Sequence, residues 1–295
     1  MAVQATNYDG TREYSVAEIE DVHYPNLLVN GDFKCNQRGK VVYDFSLKSG
    51  YTLDMWYSRK VKVTPPKSHS DSVKLDNTNL DKQVFKQRVY LRNSKKYTIA
   101  TYVTQITGMV NISLEQDGTK YTKLKALTSG KNEITFDAPV NSETSELWLC
   151  IEMDGNSSVG LNYIDMFFGA IVYSHKEEDY IFALKRCQQF LKCYQDRLIF
   201  VASVDSDSPN TCETVIETLM TKVKPTAILH GNPSVYGTGG ANTIVSASLT
   251  YASLSSGRFL VRFEAEKRKN IGQGRSNAVV LGSTGVSLEL TCEPL

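Results

Sequence analysis

Short runs in which apolar and polar residues alternate recur along most of the chain, and they constrain the fold more than any other feature. In residues 97–104 (YTIATYVT) the pattern would place one set of alternate side chains against a core and the other set in solvent. Turn pairs such as Asn30-Gly31 and Asp117-Gly118 separate the runs. About eight predicted strands, among them 26–33 and 110–116, lie between residues 25 and 173 with no helix between them, which predicts a jelly-roll β-sandwich.

The alternation changes to a helical period after residue 173. Ser174 and Glu177 have the spacing of a capping box, which predicts a helix start at this point. Apolar residues then recur at heptad spacing, and we expect them to form a short interface helix or to pack on a neighbouring sheet. The predicted interface residues are Tyr180, Leu184, Cys187, Leu191 and Tyr194.

Predicted strands, among them 226–230, resume after residue 196 and continue almost to the end of the chain, which predicts a second β-sandwich. Residues 231–242 are rich in glycine, asparagine and serine and are predicted to form a long exposed loop. The fold class is therefore mainly β: an N-terminal jelly-roll sandwich, a short linking helix and a C-terminal sandwich. The expected divisions are a tether over 1–24, the jelly roll over 25–173, the helix over 174–196 and the second sandwich over 197–295.

Charge and hydropathy exclude several classes of partner. The 295 residues have a formal net charge of +1, so neither nucleic acid nor an anionic membrane surface is expected as a partner. No segment approaches the roughly 18 apolar residues of a membrane helix, so we expect no membrane insertion. The amino terminus lacks the basic start and apolar core of a signal peptide, which favours a cytoplasmic protein or one released by lysis.

The residue types that carry catalysis do not form a recognisable motif. We find no phosphate-binding glycine loop, no zinc-protease motif and no nucleophile elbow, so we expect a protein that binds without catalysis and without a cofactor. The four histidines lie far apart in the sequence and are predicted to be surface or loop residues. A pair of glycosidase carboxylates requires no sequence motif, so hydrolysis stays open as an alternative.

The cysteines lack the spacing of a zinc site and are predicted to be buried thiols rather than disulfides. They are Cys35, Cys150, Cys187, Cys193, Cys212 and Cys292.

Several segments, in this order, resemble bacteriophage tail and tail-fibre proteins. Residues 25–33 (PNLLVNGDF), 37–39 (QRG) and 51–56 (YTLDMW) are similar to the opening of a jelly roll of the carbohydrate-binding-module type in that family, and 162–165 (NYID) to its closing strand. Residues 186–191 (RCQQFL) and 219–226 (LMTKVKPT) resemble the helix and the strand that follow the module. The resemblance implies a homotrimeric tail fibre or receptor-binding appendage, located in the virion and assembled in the host cytoplasm with other tail proteins.

The resemblance also implies where ligands would bind. Sugar sites in such modules use aromatic faces with amides and carboxylates around them, and the candidate residues are Tyr51, Tyr57 and Tyr102. A jelly roll of this kind can hold a structural calcium ion between its first and last strands, for which Asp32 and Asp165 are the candidates. The ligand would be a host-surface glycan. The alternative interpretation is a carbohydrate-binding or glycan-hydrolysing module of a polysaccharide-degrading enzyme.

Overall fold

The structure is a computed structural model, and it describes most of the chain from residue 26 onwards. The described residues are 5–6, 13–14, 26–68, 70–89, 96–116, 119–120, 124–137, 147–170, 172–195, 199–204, 210–217, 225–237, 240–253, 258–266, 277–281 and 286–291. Strands β1 (Ala5–Thr6) and β2 (Glu13–Tyr14) pair with each other. The rest of the predicted tether and Cys292 lie outside the described residues.

The first large sheet is antiparallel and has seven strands. Their spatial order is β10-β9-β13-β7-β4-β3, and β11 also pairs with β9. The strands are β3 (Ser49–Tyr51), β4 (Trp56–Arg59), β7 (Gln83–Val89), β9 (Val110–Gln116), β10 (Thr119–Lys120), β11 (Lys125–Ala126) and β13 (Leu147–Met153). In β7 buried and half-buried residues alternate, as expected for a strand with one face on a core.

The second large sheet has five strands in the order β12-β8-β14-β6-β5. These are β5 (Lys62–Thr64), β6 (Val73–Asn77), β8 (Lys96–Thr107), β12 (Gly130–Asp137) and β14 (Ser157–Phe168). Together the two sheets form the β-sandwich that the alternation predicts. Trp56 and Trp148 are both buried, as large aromatic side chains in mid-strand usually are.

Residues 26–33, predicted to be a strand, instead form turns beside β14. Asn30 and Phe33 have positive φ angles of 57° and 59°, which end the extended conformation. Leu27 N still donates to Met166 O at 2.8 Å, and Ile164 N donates to Gly31 O at 3.0 Å. A Cβ atom on Gly31 would lie 2.4 Å from Ile164 O, so only glycine permits this close approach.

The single helix among the described residues, α1 (Tyr180–Cys187), is shorter than predicted. The capping-box prediction at Ser174 is wrong because the residues after Ser174 form tertiary contacts instead of a helical turn. Glu177 pairs with Lys34, and Glu178 N donates to Asp32 Oδ2 at 3.0 Å. The helix ends at Cys187, and a turn leads into strand β15 (Leu191–Gln195). The predicted heptad seam is therefore divided between a helix and a strand.

The remaining strands form a three-stranded sheet and a closed barrel. The sheet has the order β15-β23-β18, with β18 (Thr226–His230) and β23 (Ser287–Thr291). The barrel has the order β16-β17-β21-β20-β19-β22. Its strands are β16 (Ile199–Val204), β17 (Thr211–Glu217), β19 (Ser234–Gly237), β20 (Gly240–Ser253), β21 (Arg258–Ala265) and β22 (Asn277–Leu281).

The barrel strands and β23 contribute to one apolar core. Phe259, Phe263 and Val235 from the barrel and Leu288 and Leu290 from β23 are fully buried in it. The C-terminal β region is thus a barrel with an added sheet, where the sequence suggested a two-sheet sandwich. Closure of the barrel removes the exposed strand edges that an open sheet would leave.

The chain forms two compact units whose boundaries differ from the predicted divisions. One unit contains 1–34, 42–50 and 57–180, and the other contains 35–41, 51–56 and 181–295. Two short segments from the predicted jelly-roll region therefore belong to the unit that contains the barrel. These segments carry the QRG and YTLDMW motifs.

No helix among the described residues is long and apolar enough to cross a membrane.

Candidate functional site

A tyrosine-rich surface lies on the solvent-facing side of the five-stranded sheet. Tyr102 of β8 lies directly opposite Lys131 of β12 on one side and Tyr163 of β14 on the other. Directly opposed residues of antiparallel strands project from the same face of the sheet. Tyr102 is 41% exposed, so its ring is accessible from solvent. We refer to Tyr102, Tyr163 and Lys131 as the tyrosine face.

Tyr163 is held in place by the imidazole of His175. The two rings are stacked, with centroids 3.7 Å apart and an interplanar angle of 3°. Burial raises the pKa of Tyr163, and the nearby Asp165 carboxylate raises it further. The phenol is therefore protonated at neutral pH and can donate a hydrogen bond. On the other side of Tyr102, Lys131 pairs with Glu133, which adds an ammonium and a carboxylate to the same sheet face.

Three neutral polar side chains lie beside the tyrosine face. Ser72 Oγ lies 2.9 Å from Thr104 Oγ1 and donates to Asn162 Oδ1 at 2.7 Å. Asn162 is at a register shift in β14, between the pairs Leu161–Val103 and Tyr163–Tyr102. A β-bulge of this kind commonly redirects a side chain near a binding site. The sheet therefore offers an aromatic surface next to hydroxyl and amide groups, the combination with which proteins bind sugars.

The structure does not bring all three predicted tyrosines together. Tyr51 lies in β3 and Tyr57 in β4, both strands of the seven-stranded sheet, and both residues are half-buried. Tyr102 lies in the five-stranded sheet. A sugar role for Tyr51 and Tyr57 stays a prediction, separate from the site described above.

The structure brings Asp32 and Asp165 into one cluster with His175. His175 Nδ1 lies 2.9 Å from Asp165 Oδ2, and His175 Nε2 lies 3.6 Å from Asp32 Oδ1. The imidazole thus stands between two carboxylates. His175 lies in a segment without helix or strand, in agreement with the prediction of a surface or loop residue, but it is half-buried and makes these contacts.

Neighbouring groups fix both carboxylates of this cluster. Asn26 Nδ2 donates to Asp165 Oδ1 at 2.7 Å, and Lys34 Nζ lies 3.9 Å from Asp32 Oδ2. Burial raises the pKa of Asp32, while the Glu178 N–H and His175 act in the opposite direction. The cluster therefore ties the turn over 26–33, strand β14 and the segment before α1 together.

The donor set of this cluster does not fit calcium. Calcium prefers six to eight oxygen ligands, as a rough guide, and it avoids nitrogen. Here the imidazole of His175 occupies the space between the two carboxylates, and the Lys34 ammonium is close to one of them. The Lys34 ammonium places positive charge beside Asp32, where the sequence resemblance implied an ion.

The predicted oligomer interface requires correction. Cys187 and Leu191 are fully buried within their own chain, so they are not accessible to a second copy. Leu191 and Tyr194 lie in β15 and pair with Thr291 and Leu288 of β23. Leu184 is half-buried and Tyr180 is exposed. The heptad spacing here reflects packing inside the chain, because the helix ends before the second heptad.

Three of the motifs that carry the family resemblance meet in one place, which we call the motif cluster (Gln37, Arg38, Asp54, Leu191). Gln37 Nε2 donates to Asp54 Oδ2 at 2.9 Å and to Leu191 O at 2.8 Å. Arg38 Nη1 donates to Thr52 O at 3.4 Å. The QRG, YTLDMW and RCQQFL segments, far apart in sequence, therefore contact one another within one compact unit.

Sequence reasoning missed Tyr163 and His175. A signal for Tyr163 was present, because it lies two residues before Asp165 and alternate residues of a strand share a face. No comparable signal exists for His175, whose position follows from the path of the chain after β14.

Comparison with known proteins gives limited similarity. No family model matches the sequence, and no curated protein matches it. Among solved structures, the module TmCBM61 in complex with β-1,4-galactotriose is 14% identical, covers 49% of this chain and 99% of its own length, and has a TM-score of 0.31.

Two further solved structures show comparable similarity. The tandem CBM22 domains of Xyn10C from Paenibacillus barcinonensis are 13% identical and cover 86% of this chain and 90% of their own length, with a TM-score of 0.30. The glycoside hydrolase domain Endo-D from Streptococcus pneumoniae R6 is 14% identical and covers 80% of this chain and 37% of its own length, with a TM-score of 0.25. TM-scores this low do not establish a common fold.

Proposed function

We propose that this protein binds carbohydrate on the tyrosine face of its β-sandwich, without catalysis. The observation that carries the proposal is the placement of the exposed Tyr102 directly between Tyr163 and Lys131 on one sheet face. A pyranose ring presents C–H groups on one side and hydroxyls around its edge. The Tyr102 ring can cover the C–H side, while Lys131 and the Tyr163 hydroxyl can bind the edge.

The rigidity of the surface supports this proposal. Tyr163 is stacked on His175, which is itself held by Asp165 at 2.9 Å. Side chains that are already fixed lose little conformational entropy when a ligand binds, so more of the contact energy appears as affinity. The polar side chains Ser72, Thr104 and Asn162 extend the surface on one side of Tyr163. They suit a ligand longer than one sugar unit.

Replacing Tyr102 with alanine should weaken glycan binding roughly tenfold, about 1.4 kcal/mol, because an aromatic contact contributes energy of this order. The ligand would first be selected on a glycan array with the full chain, and affinities would then be measured by titration calorimetry. Tyr236→Ala is the matched control, since Tyr236 is a comparably exposed tyrosine in barrel strand β19.

Equal affinity of the Tyr102→Ala variant and the unmodified protein would reject the tyrosine face as the site. Failure of the unmodified chain to bind any glycan on the array would reject carbohydrate binding. Mass spectrometry of the same oligosaccharides after incubation distinguishes binding from hydrolysis, because a hydrolase would shorten them.

We further propose that the protein acts as a component of a phage tail, assembled as a homotrimer in the virion. This proposal rests on the sequence resemblance, and three of the segments that carry it contact one another through Gln37. Since Cys187 and Leu191 are buried, the trimer would use another apolar surface. Ile181 and Phe182 at the start of α1 are 61% and 63% exposed and offer one.

The oligomeric state is accessible by size-exclusion chromatography with light scattering. A trimer is expected for the unmodified chain, and Phe182→Glu should convert it to monomer by placing a charge in the apolar contact. Leu80→Glu is the control, since Leu80 is an exposed apolar residue of the sandwich unit. A monomer at every concentration tested would contradict the trimer.

A further inference from the structure

A second group of metal-binding side chains lies in the unit that contains the barrel. Cys35, Asp54 and Cys187 are all fully buried, and one donor atom from each lies within 4.8 Å of the others. All three belong to the same compact unit. We call this group the thiol–carboxylate cluster. It is separate from the tyrosine face, and nothing in carbohydrate binding requires it.

The cluster is held by the backbone and by Gln37. Asp54 N donates to Cys35 O at 3.3 Å. Gln37 N donates to Asp54 Oδ1 and Gln37 Nε2 to Asp54 Oδ2, both at 2.9 Å. Hydrogen bonds that orient a coordinating carboxylate in this way are a regular feature of protein metal sites.

The spacing of the three donors suits a small tetrahedral ion. With zinc–sulfur bonds of about 2.3 Å, ligands around a tetrahedral zinc lie roughly 3.7 Å apart. The donors here lie within 4.8 Å of one another, so a contraction of about 1 Å or less would complete the geometry. A disulfide between the two thiols would instead require a separation of about 2.05 Å.

The donor chemistry selects a class of ion. Two sulfur ligands exclude calcium and magnesium, whereas zinc and cobalt(II) bind sulfur and carboxylate oxygen together. We propose that Cys35, Asp54 and Cys187 bind a zinc-class divalent cation.

The site would have a structural role. Cys35 belongs to the segment 35–41, Asp54 to 51–56, and Cys187 is the last residue of α1. A shared ion would join these three segments. Cysteine binds a divalent ion as the thiolate, so metal binding would release thiol protons to solvent.

Cobalt(II) titration of the full chain, purified reduced and free of metal, tests the proposal. Thiolate ligation gives a near-ultraviolet charge-transfer band, which oxygen and nitrogen ligands do not give, so binding at Asp32, Asp165 and His175 cannot imitate it. One equivalent of cobalt should produce the band, and zinc should abolish it by displacement. Zinc should also raise the melting temperature.

Cys187→Ser should remove the band and weaken zinc binding by at least roughly tenfold. Cys212→Ser is the matched control, because Cys212 is a buried thiol in barrel strand β17 of the same unit. Circular dichroism verifies that each variant is folded. If Cys187→Ser does not fold, a cobalt titration of Asp54→Asn takes its place as the test. Absence of the band in the reduced folded protein would overturn the proposal, and so would persistence of the band in Cys187→Ser. A Cys35–Cys187 disulfide in a protein whose reduced form binds no metal would also overturn it.

Discussion

Replacement of Asp165 by alanine is expected to lower the free energy of unfolding of the sandwich unit by about 3 kcal/mol. Asp165 is fully buried and accepts hydrogen bonds from Asn26 Nδ2 at 2.7 Å and from His175 Nδ1 at 2.9 Å. Hydrogen bonds to a charged acceptor contribute about 1.5–3 kcal/mol each, and His175 is partly exposed, which reduces its share.

The Asp165→Ala change would also release the polar groups that depend on this carboxylate. Asn26 Oδ1 accepts from Leu28 N and Met166 N, so a displaced Asn26 would loosen the turn over 26–33. His175 would lose its fixed orientation beneath Tyr163. Differential scanning calorimetry should show a fall in melting temperature of roughly 6–12 °C, at about 2–4 °C per kcal/mol for a unit of this size.

Asp137→Ala is the control for Asp165→Ala. Asp137 lies in β12 of the same sheet, its side chain is 88% exposed, and its contact with Lys96 is at the surface. Its removal should change the free energy of unfolding by no more than about 0.5 kcal/mol. If both substitutions have the same small effect, the buried carboxylate does not stabilise the sandwich as described.

Replacement of Arg38 by leucine is expected to destabilise the unit that contains the barrel by about 3 kcal/mol. Arg38 Nε lies 3.3 Å from Glu289 Oε2, and the two side chains are only 10% and 11% exposed. Loss of the guanidinium would leave Glu289 with His230, whose Nε2 lies 3.1 Å away but whose side chain is half-exposed. A largely buried carboxylate that loses its main cation is costly.

Arg258→Leu is the matched control, because Arg258 pairs with Glu217 at 2.8 Å in the barrel but both side chains are well exposed. Exposed ion pairs contribute about 0–1 kcal/mol, so this change should be nearly neutral. Urea unfolding followed by circular dichroism measures both variants. Equal effects of Arg38→Leu and Arg258→Leu would show that the motif cluster does not depend on its buried ion pair.

The strands were largely predictable from alternation of apolar and polar residues. The predicted strands over 110–116 and 226–230 coincide with β9 and β18. Strand β19 (Ser234–Gly237) was assigned to a loop because glycine, asparagine and serine surround it. It forms because it pairs with β20 and β22 and places the fully buried Val235 in the barrel core, a contribution that local composition does not reveal.

The helix was the least predictable element because its limits depend on distant residues. Residues 174–179 have a sequence suited to a helix start, yet His175, Glu177 and Glu178 contact Asp165, Lys34 and Asp32 instead. Leu191 and Tyr194 continue the heptad spacing, but both residues lie in β15, which pairs with β23. Tertiary contacts of this kind override a local helical pattern.

The candidate sites were predictable in part. The family resemblance placed Asp32 and Asp165 in corresponding positions, and the structure brings their carboxylates into one cluster. Tyr102 was selected as an aromatic residue on an alternating strand, and its exposure agrees with a surface position. The thiol–carboxylate cluster could not have been predicted, because Cys35, Asp54 and Cys187 have no metal-site spacing and meet only through the fold.

A crystal structure of the full chain with the glycan selected on the array tests the central claim most directly. The account predicts a sugar ring against the face of Tyr102, with its hydroxyls bound by Lys131 and the Tyr163 hydroxyl. Electron density for the glycan on the seven-stranded sheet or on the barrel, with the tyrosine face empty, would contradict it.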